Sequence, residues 1–221
     1  IYTFFNTATI NITGNFTNNG GTFGGGLTTI LFNGVSQQYI EGVPTQLAKL
    51  TINNPAGMQL LTPVTFSSLS GGITLTSGII NTTATNLLTL NLFSGATGAS
   101  NNSFVDGPIA KEGKNSFTFP IGKPNCGPSG TVKGYTPLMI SNFTGGANSD
   151  VYIAEYKRGD AMSLGNIATG VDHISRCDYW TLTRANGTST VDITLYWDEP
   201  INNCTTSAPY INELASLTVV H

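Results

Sequence analysis

Apolar and polar residues alternate in short runs along the first half of the chain. Ile10-Asn11-Ile12-Thr13-Gly14, Ile30-Leu31-Phe32-Asn33-Gly34 and Leu50-Thr51-Ile52-Asn53-Asn54 carry the period-two pattern of half-buried strands, in which successive side chains point to opposite faces. These runs recur about every 20 residues. Ile73-Thr74-Leu75-Thr76-Ser77 and Leu87-Leu88-Thr89-Leu90 follow, and the spacing drifts to 23 (Leu50 to Ile73) and then 13 (Leu75 to Leu88). A strand and a turn repeated at that period predict a β-solenoid, each coil burying its inward side chains on the coils above and below. A sandwich of hairpins would give similar runs, and the drift favours that alternative.

The second half reads as an antiparallel β-sandwich. Strands are expected at Ser103–Asp106, Ser116–Phe119, Leu138–Asn142, Asp150–Lys157, Asp178–Arg184, Val191–Trp197 and Leu217–Val220, at sandwich-like intervals. Val191, Ile193, Leu195 and Trp197 share one face of their run. Asn186-Gly187 is a hairpin signal, and it predicts that Trp180 and Trp197 lie in neighbouring strands of one core. The fold class is therefore all-β, with a solenoid-like stack of short strands over 1–105 and a sandwich over 106–221, the latter expected to be truncated at its C-terminal end.

Composition sharpens the division. Only 10% of the 221 residues are charged, whereas Thr, Asn and Ser number 32, 22 and 17. Neutral hydroxyls and amides thus replace the usual Lys and Glu, which disfavours helical bundles and suits strands and turns. Residues 1–105 contain just two charged side chains, Glu41 and Lys49; the other nineteen lie from Asp106 onward. The net charge of −3 and the absence of a basic tract exclude nucleic acid as an expected partner. No apolar run reaches the roughly 18 residues of a membrane-spanning helix, and no signal peptide is recognisable, so the chain is expected to be a mature or truncated piece of a longer one.

Candidate chemistry is sparse. Of three cysteines, Cys177 and Cys204 bracket two strand candidates and are the expected disulfide, which implies an oxidising compartment; Cys126 sits in a turn-rich loop. No Cys-x-x-Cys pair points to zinc. The seven Asn-x-Ser/Thr sites, such as Asn142 and Asn186, follow from a composition rich in Asn and Thr. Gly20–Gly26 lacks the Lys-Ser/Thr of a phosphate loop. His173 reads as a loop residue, and no nucleophile elbow accompanies it. Glu155, Asp160, Asp198 and Glu199 are candidate carboxylates for glycoside hydrolysis or, with backbone carbonyls, for Ca²⁺. Adjacent Asp198 and Glu199 point to opposite faces of a strand. Tyr135, Tyr152, Tyr156 and Tyr210, if exposed, would form a stacking strip for sugars. An ice-binding face would need regular outward Thr ladders, against which the drifting period argues. No catalytic residue, cofactor or metal is expected.

Several segments resemble large surface proteins of Bacteroidota exported by the type IX secretion system. They include Gly14-Asn15-Phe16-Thr17-Asn18-Asn19-Gly20-Gly21-Thr22-Phe23, Gly72-Ile73-Thr74-Leu75-Thr76-Ser77-Gly78-Ile79-Ile80, Phe104-Val105-Asp106-Gly107-Pro108, Phe117-Thr118-Phe119-Pro120-Ile121-Gly122-Lys123 and Ile174-Ser175-Arg176-Cys177-Asp178-Tyr179-Trp180. The series spans nearly the whole chain in order. The resemblance implies an extracellular, adhesin-like or filamentous protein with β-rich modules and no enzymatic residues to carry over. The expectation is a structural or adhesive module that contacts other copies of itself, neighbouring modules or surface polysaccharide. A carbohydrate-binding module of a secreted polysaccharide-degrading protein is the alternative.

Overall fold

The computed structural model describes residues 7–21, 23, 27–66, 71–161, 169–171, 174–198, 201, 213–216 and 218–219. The first half is a β-solenoid of about four turns. The successive coils contain β1 (Thr9–Ile12) and β2 (Phe16–Asn18); β3 (Thr29–Phe32), β4 (Gln38–Gly42) and β5 (Thr45–Leu47); β6 (Lys49–Asn53), β7 (Met58–Leu60) and β8 (Val64–Phe66); β9 (Gly72–Ser77), β10 (Ile80–Asn81) and β11 (Leu88–Leu90); and β12 (Gly95–Thr97), β13 (Val105–Asp106) and β14 (Ile109–Glu112). Strands of like position pair in parallel, giving three faces: β1-β3-β6-β9-β12, β2-β4-β7-β10-β13 and β5-β8-β11-β14.

The register explains the drifting period. On the first face Thr9 pairs with Thr29, Thr29 with Lys49, Lys49 with Gly72 and Gly72 with Gly95, steps of 20, 20, 23 and 23 residues. Extra residues enter between strands, so the face itself stays aligned. The 13-residue step was not a coil at all: Leu88–Leu90 is the third face of the coil that β9 begins.

Alternation now has a physical meaning. Ile12, Phe32, Ile52 and Leu75 form one inward column, and Ile10, Ile30, Leu50 and Ile73 another. Phe32, Leu50, Ile52 and Leu75 are at most 1% exposed, and each such side chain contributes about 1.5–3 kcal/mol by leaving water. Buried amides fasten the corners. Gln38 accepts from Gly34 N and donates to Ile12 O, while Asn54 Nδ2 donates to Gln38 Oε1 (2.9 Å) and Ser36 O (2.7 Å). Gly78, at φ +98°, lets one corner press on the Asn54 carbonyl, where a Cβ would collide.

Parallel pairing continues past residue 105 through β13 and β14. The free edge of β14 then takes an antiparallel partner, β19 (Val151–Arg158), followed by β20 (Asp178–Asn186). One six-stranded sheet thus runs from the solenoid into the second half. Beyond it lie β15 (Phe117–Phe119), β16 (Gly122–Cys126), β17 (Val132–Tyr135), β18 (Leu138–Thr144) and β21 (Thr190–Leu195). They form an antiparallel sheet β15-β18-β21 and a ribbon β16-β17.

Two expectations are corrected. Asn186-Gly187 does not close a hairpin: β20 belongs to one sheet and β21 to another, so Trp180 and Trp197 are not in neighbouring strands. Buried Asp150 accepts hydrogen bonds from Thr188 N and Ser189 N and so holds the turn where the chain crosses between sheets. The strand expected at 217–220 is not formed at Thr218 and Val219, which follow a 3₁₀ turn at Leu214–Ser216.

Candidate functional site

The residues singled out for chemistry fall mostly on β19, β20 and their surroundings. Alternation along β19 turns Tyr152, Ala154 and Tyr156 inward. Tyr152 is 3% exposed and Tyr156 1%, so neither can stack on a sugar, and the tyrosine strip is not formed. Tyr135 is half-buried at the end of β17, its hydroxyl held above its ordinary pKa by burial and by nearby Tyr196. Tyr210 lies outside the described residues, as do His173, Glu199 and Cys204. The missed aromatic at this surface is Tyr196, 46% exposed; its place just past a strand end in an alternating run was the available signal.

Tyr156 belongs to a buried polar cluster. Its hydroxyl donates to Asp178 Oδ2 (2.8 Å), Ser175 Oγ donates to Asp178 Oδ1 (2.7 Å), and Trp180 packs on the Tyr156 ring with centroids 5.2 Å apart. Trp180 Nε1 donates to Thr136 O (2.9 Å). The free thiol of Cys126 lies beside this group and is buried. Burial pushes its pKa up, offset in part by hydrogen bonding to Tyr156 and by the Arg158 charge. A thiol held protonated is a poor nucleophile. Burial and the Asp178 carboxylate likewise push Tyr156 up, away from any role as a base. The cluster joins the β16 ribbon to β19 and β20; Arg158 Nη2 adds a bond to Gly127 O (3.1 Å).

A second buried acid organises the turn between sheets. Asp150 accepts from Ala147 N (3.0 Å), Thr188 N (3.2 Å), Ser189 N (2.8 Å) and Ser189 Oγ. Those bonds hold its carboxyl down at about 2. Tyr152 donates to Ser189 O (2.7 Å), tying the same turn to β19.

The third buried ionisable group is Lys111, whose place on β14 follows Leu90 in the inward register. It is 2% exposed. Its ammonium donates to Asn91 O (2.6 Å), Glu112 O (2.8 Å) and Leu92 O (3.0 Å), and lies 5.6 Å from the Phe117 ring centroid. Burial lowers its pKa to about 8, against a smaller rise from Glu112. A lysine ends the apolar column and fastens the last coil to the preceding turn.

The remaining carboxylates are dispersed. Glu155 pairs with Lys157 (3.2 Å), and Asp160 and Asp198 are exposed at separate chain positions. Among the described residues no three His, Cys, Asp or Glu side chains form a metal-binding group, and no helix is long and apolar enough to cross a membrane. No family model, curated protein or solved structure matches this chain.

Proposed function

We propose that the chain is a non-enzymatic structural or adhesive module of an extracellular Bacteroidota surface protein exported by the type IX system, serving in a stalk or filament. The observation that supports this most is the stack of parallel coils whose third sheet passes without a break into the antiparallel half. Such a sheet gives a stiff, one-dimensional element in which each coil touches only its neighbours. The buried acids, lysine and thiol bind backbone or one another, so they serve cohesion. Outward positions of the coils are largely Thr, Asn, Gln and Gly. Burial of Tyr152 and Tyr156 removes the strip on which a sugar-stacking module would rest. A Cys177–Cys204 disulfide belongs to this reading as part of the proposal. Negative-stain imaging of the native protein is the test: elongated rods or fibres at the cell surface are the expected result, and compact monomers at every concentration would refute it.

A further inference from the structure

The outer surface of the β1-β3-β6-β9-β12 sheet carries a shallow groove of about 240 Å³. Thr29, Lys49, Thr51, Thr74, Thr97 and Gly95 line it. The register sets these residues in two columns. Thr51, Thr74 and Thr97 are aligned in successive coils, as are Lys49, Gly72 and Gly95. The hydroxyls therefore rise by one strand spacing, about 4.8 Å, per coil, with Thr97 Oγ1 and Thr74 Oγ1 3.4 Å apart. Beside them Gly95 leaves its backbone uncovered, whereas Gly72 is buried. Gly72 admits no Cβ because its position is filled by the Gly95 backbone. Gly95 differs, since a Cβ there meets nothing within 4 Å. At Gly95 the fold therefore leaves room for a side chain.

Lys49 stands in the second of these columns, between Thr29 and Gly72. It is the only cation in the first 105 residues. It makes none of the ion pairs among the described residues, and no strand of this sheet contains Asp or Glu. The groove thus combines a row of hydroxyls that donate and accept, a flat backbone floor, and one unpaired ammonium. The alternation of Lys and Gly with Thr excludes a uniform hydroxyl lattice.

We propose that this groove binds a segment of acidic, uronate-bearing polysaccharide lying along the solenoid axis. Ring hydroxyls bond to the Thr51-Thr74-Thr97 column, a ring face rests on the exposed Gly95 backbone, and a carboxylate meets the Lys49 ammonium. The inference rests on the adhesive reading above and names its ligand.

The test is affinity electrophoresis and calorimetry with polygalacturonate as the acidic probe and dextran as the neutral one. The protein should prefer polygalacturonate. Lys49→Gln should weaken that binding about fivefold and erase the preference. Gly95→Val should fill the groove and weaken both by tenfold or more while leaving the unfolding midpoint unchanged. Lys133→Gln, at an exposed distant lysine, should change nothing. No retention by polygalacturonate, equal losses from Lys49→Gln and Lys133→Gln, or an inert Gly95→Val would each overturn the proposal. Rods that bind no polysaccharide would refute this inference alone, and compact monomers that bind through the groove would refute the filament reading alone.

Discussion

Replacing Lys111 by Met tests how the last coil is held. The substitution keeps an unbranched stem of similar length but removes the ammonium. Three charge-assisted bonds to Asn91, Leu92 and Glu112 carbonyls are lost, at about 1.5–3 kcal/mol each. Against that, burial holds the lysine pKa at about 8 instead of 10.5, a cost on the order of 3 kcal/mol that Met does not carry. Met also leaves the three buried carbonyls without a donor that even the uncharged amine supplies in part, so Lys111→Met should destabilise by about 2–4 kcal/mol at pH 7. At this chain length that lowers Tm by roughly 5–12 °C. The sign of the pH response follows from linkage. Between pH 8 and 10 the unfolded chain holds the lysine proton and the folded one releases it, so native stability rises with pH. Urea unfolding at pH 7, 8, 9 and 10 should show the gap between native protein and variant widening by up to about 3 kcal/mol. A constant gap, or a variant more stable than the native protein at pH 7, would refute the reasoning.

Three further outcomes are expected. Because Asp150 is held at about 2, its contribution is complete above the ordinary carboxylate pKa and is lost as pH falls from about 4 toward 2; an acid titration of Asp150→Asn by circular dichroism should lack that component. Gly78→Ala should destabilise by more than about 1 kcal/mol, since φ is +98° and the new methyl strikes Asn54 O; thermal melting reads this directly. Thiol titration without reductant should detect no fast-reacting group in the folded protein and one, Cys126, after unfolding; three thiols would remove the Cys177–Cys204 bond.

Legibility followed strand length and inward polarity. Four of the five runs that point to the solenoid are strands of a single face, each long enough to alternate visibly. The other two faces are built largely from strands such as Thr45–Leu47, Val64–Phe66 and Ile80–Asn81, two or three residues each, too short to show a period. Strands β18 to β21 were legible for the same reason that β2 was not. What local pattern could not show was the direction of pairing, and so neither the shared sheet nor the crossing at Asn186-Gly187 was visible. That turn is decided by Asp150, 36 residues before Asn186, through contacts no local signal reports. The tyrosines were misplaced because Tyr fits either face of a strand; only register on β19 sends Tyr152 and Tyr156 inward. Lys111 was invisible as a core residue because a buried ammonium depends on three backbone carbonyls gathered from two chain segments.

The two edges of β14 face partners running in opposite directions, and this gives the stack a chemical polarity. A parallel coil can be added to a face only where a strand edge is open to a like-directed neighbour. On the third face β19 occupies that edge, and on the second the bridge from Val105 to Ile121 does so. Elongation of those two faces is thus terminated at this end, much as a blocked monomer terminates a growing polymer, so no further coil can join all three faces in register here.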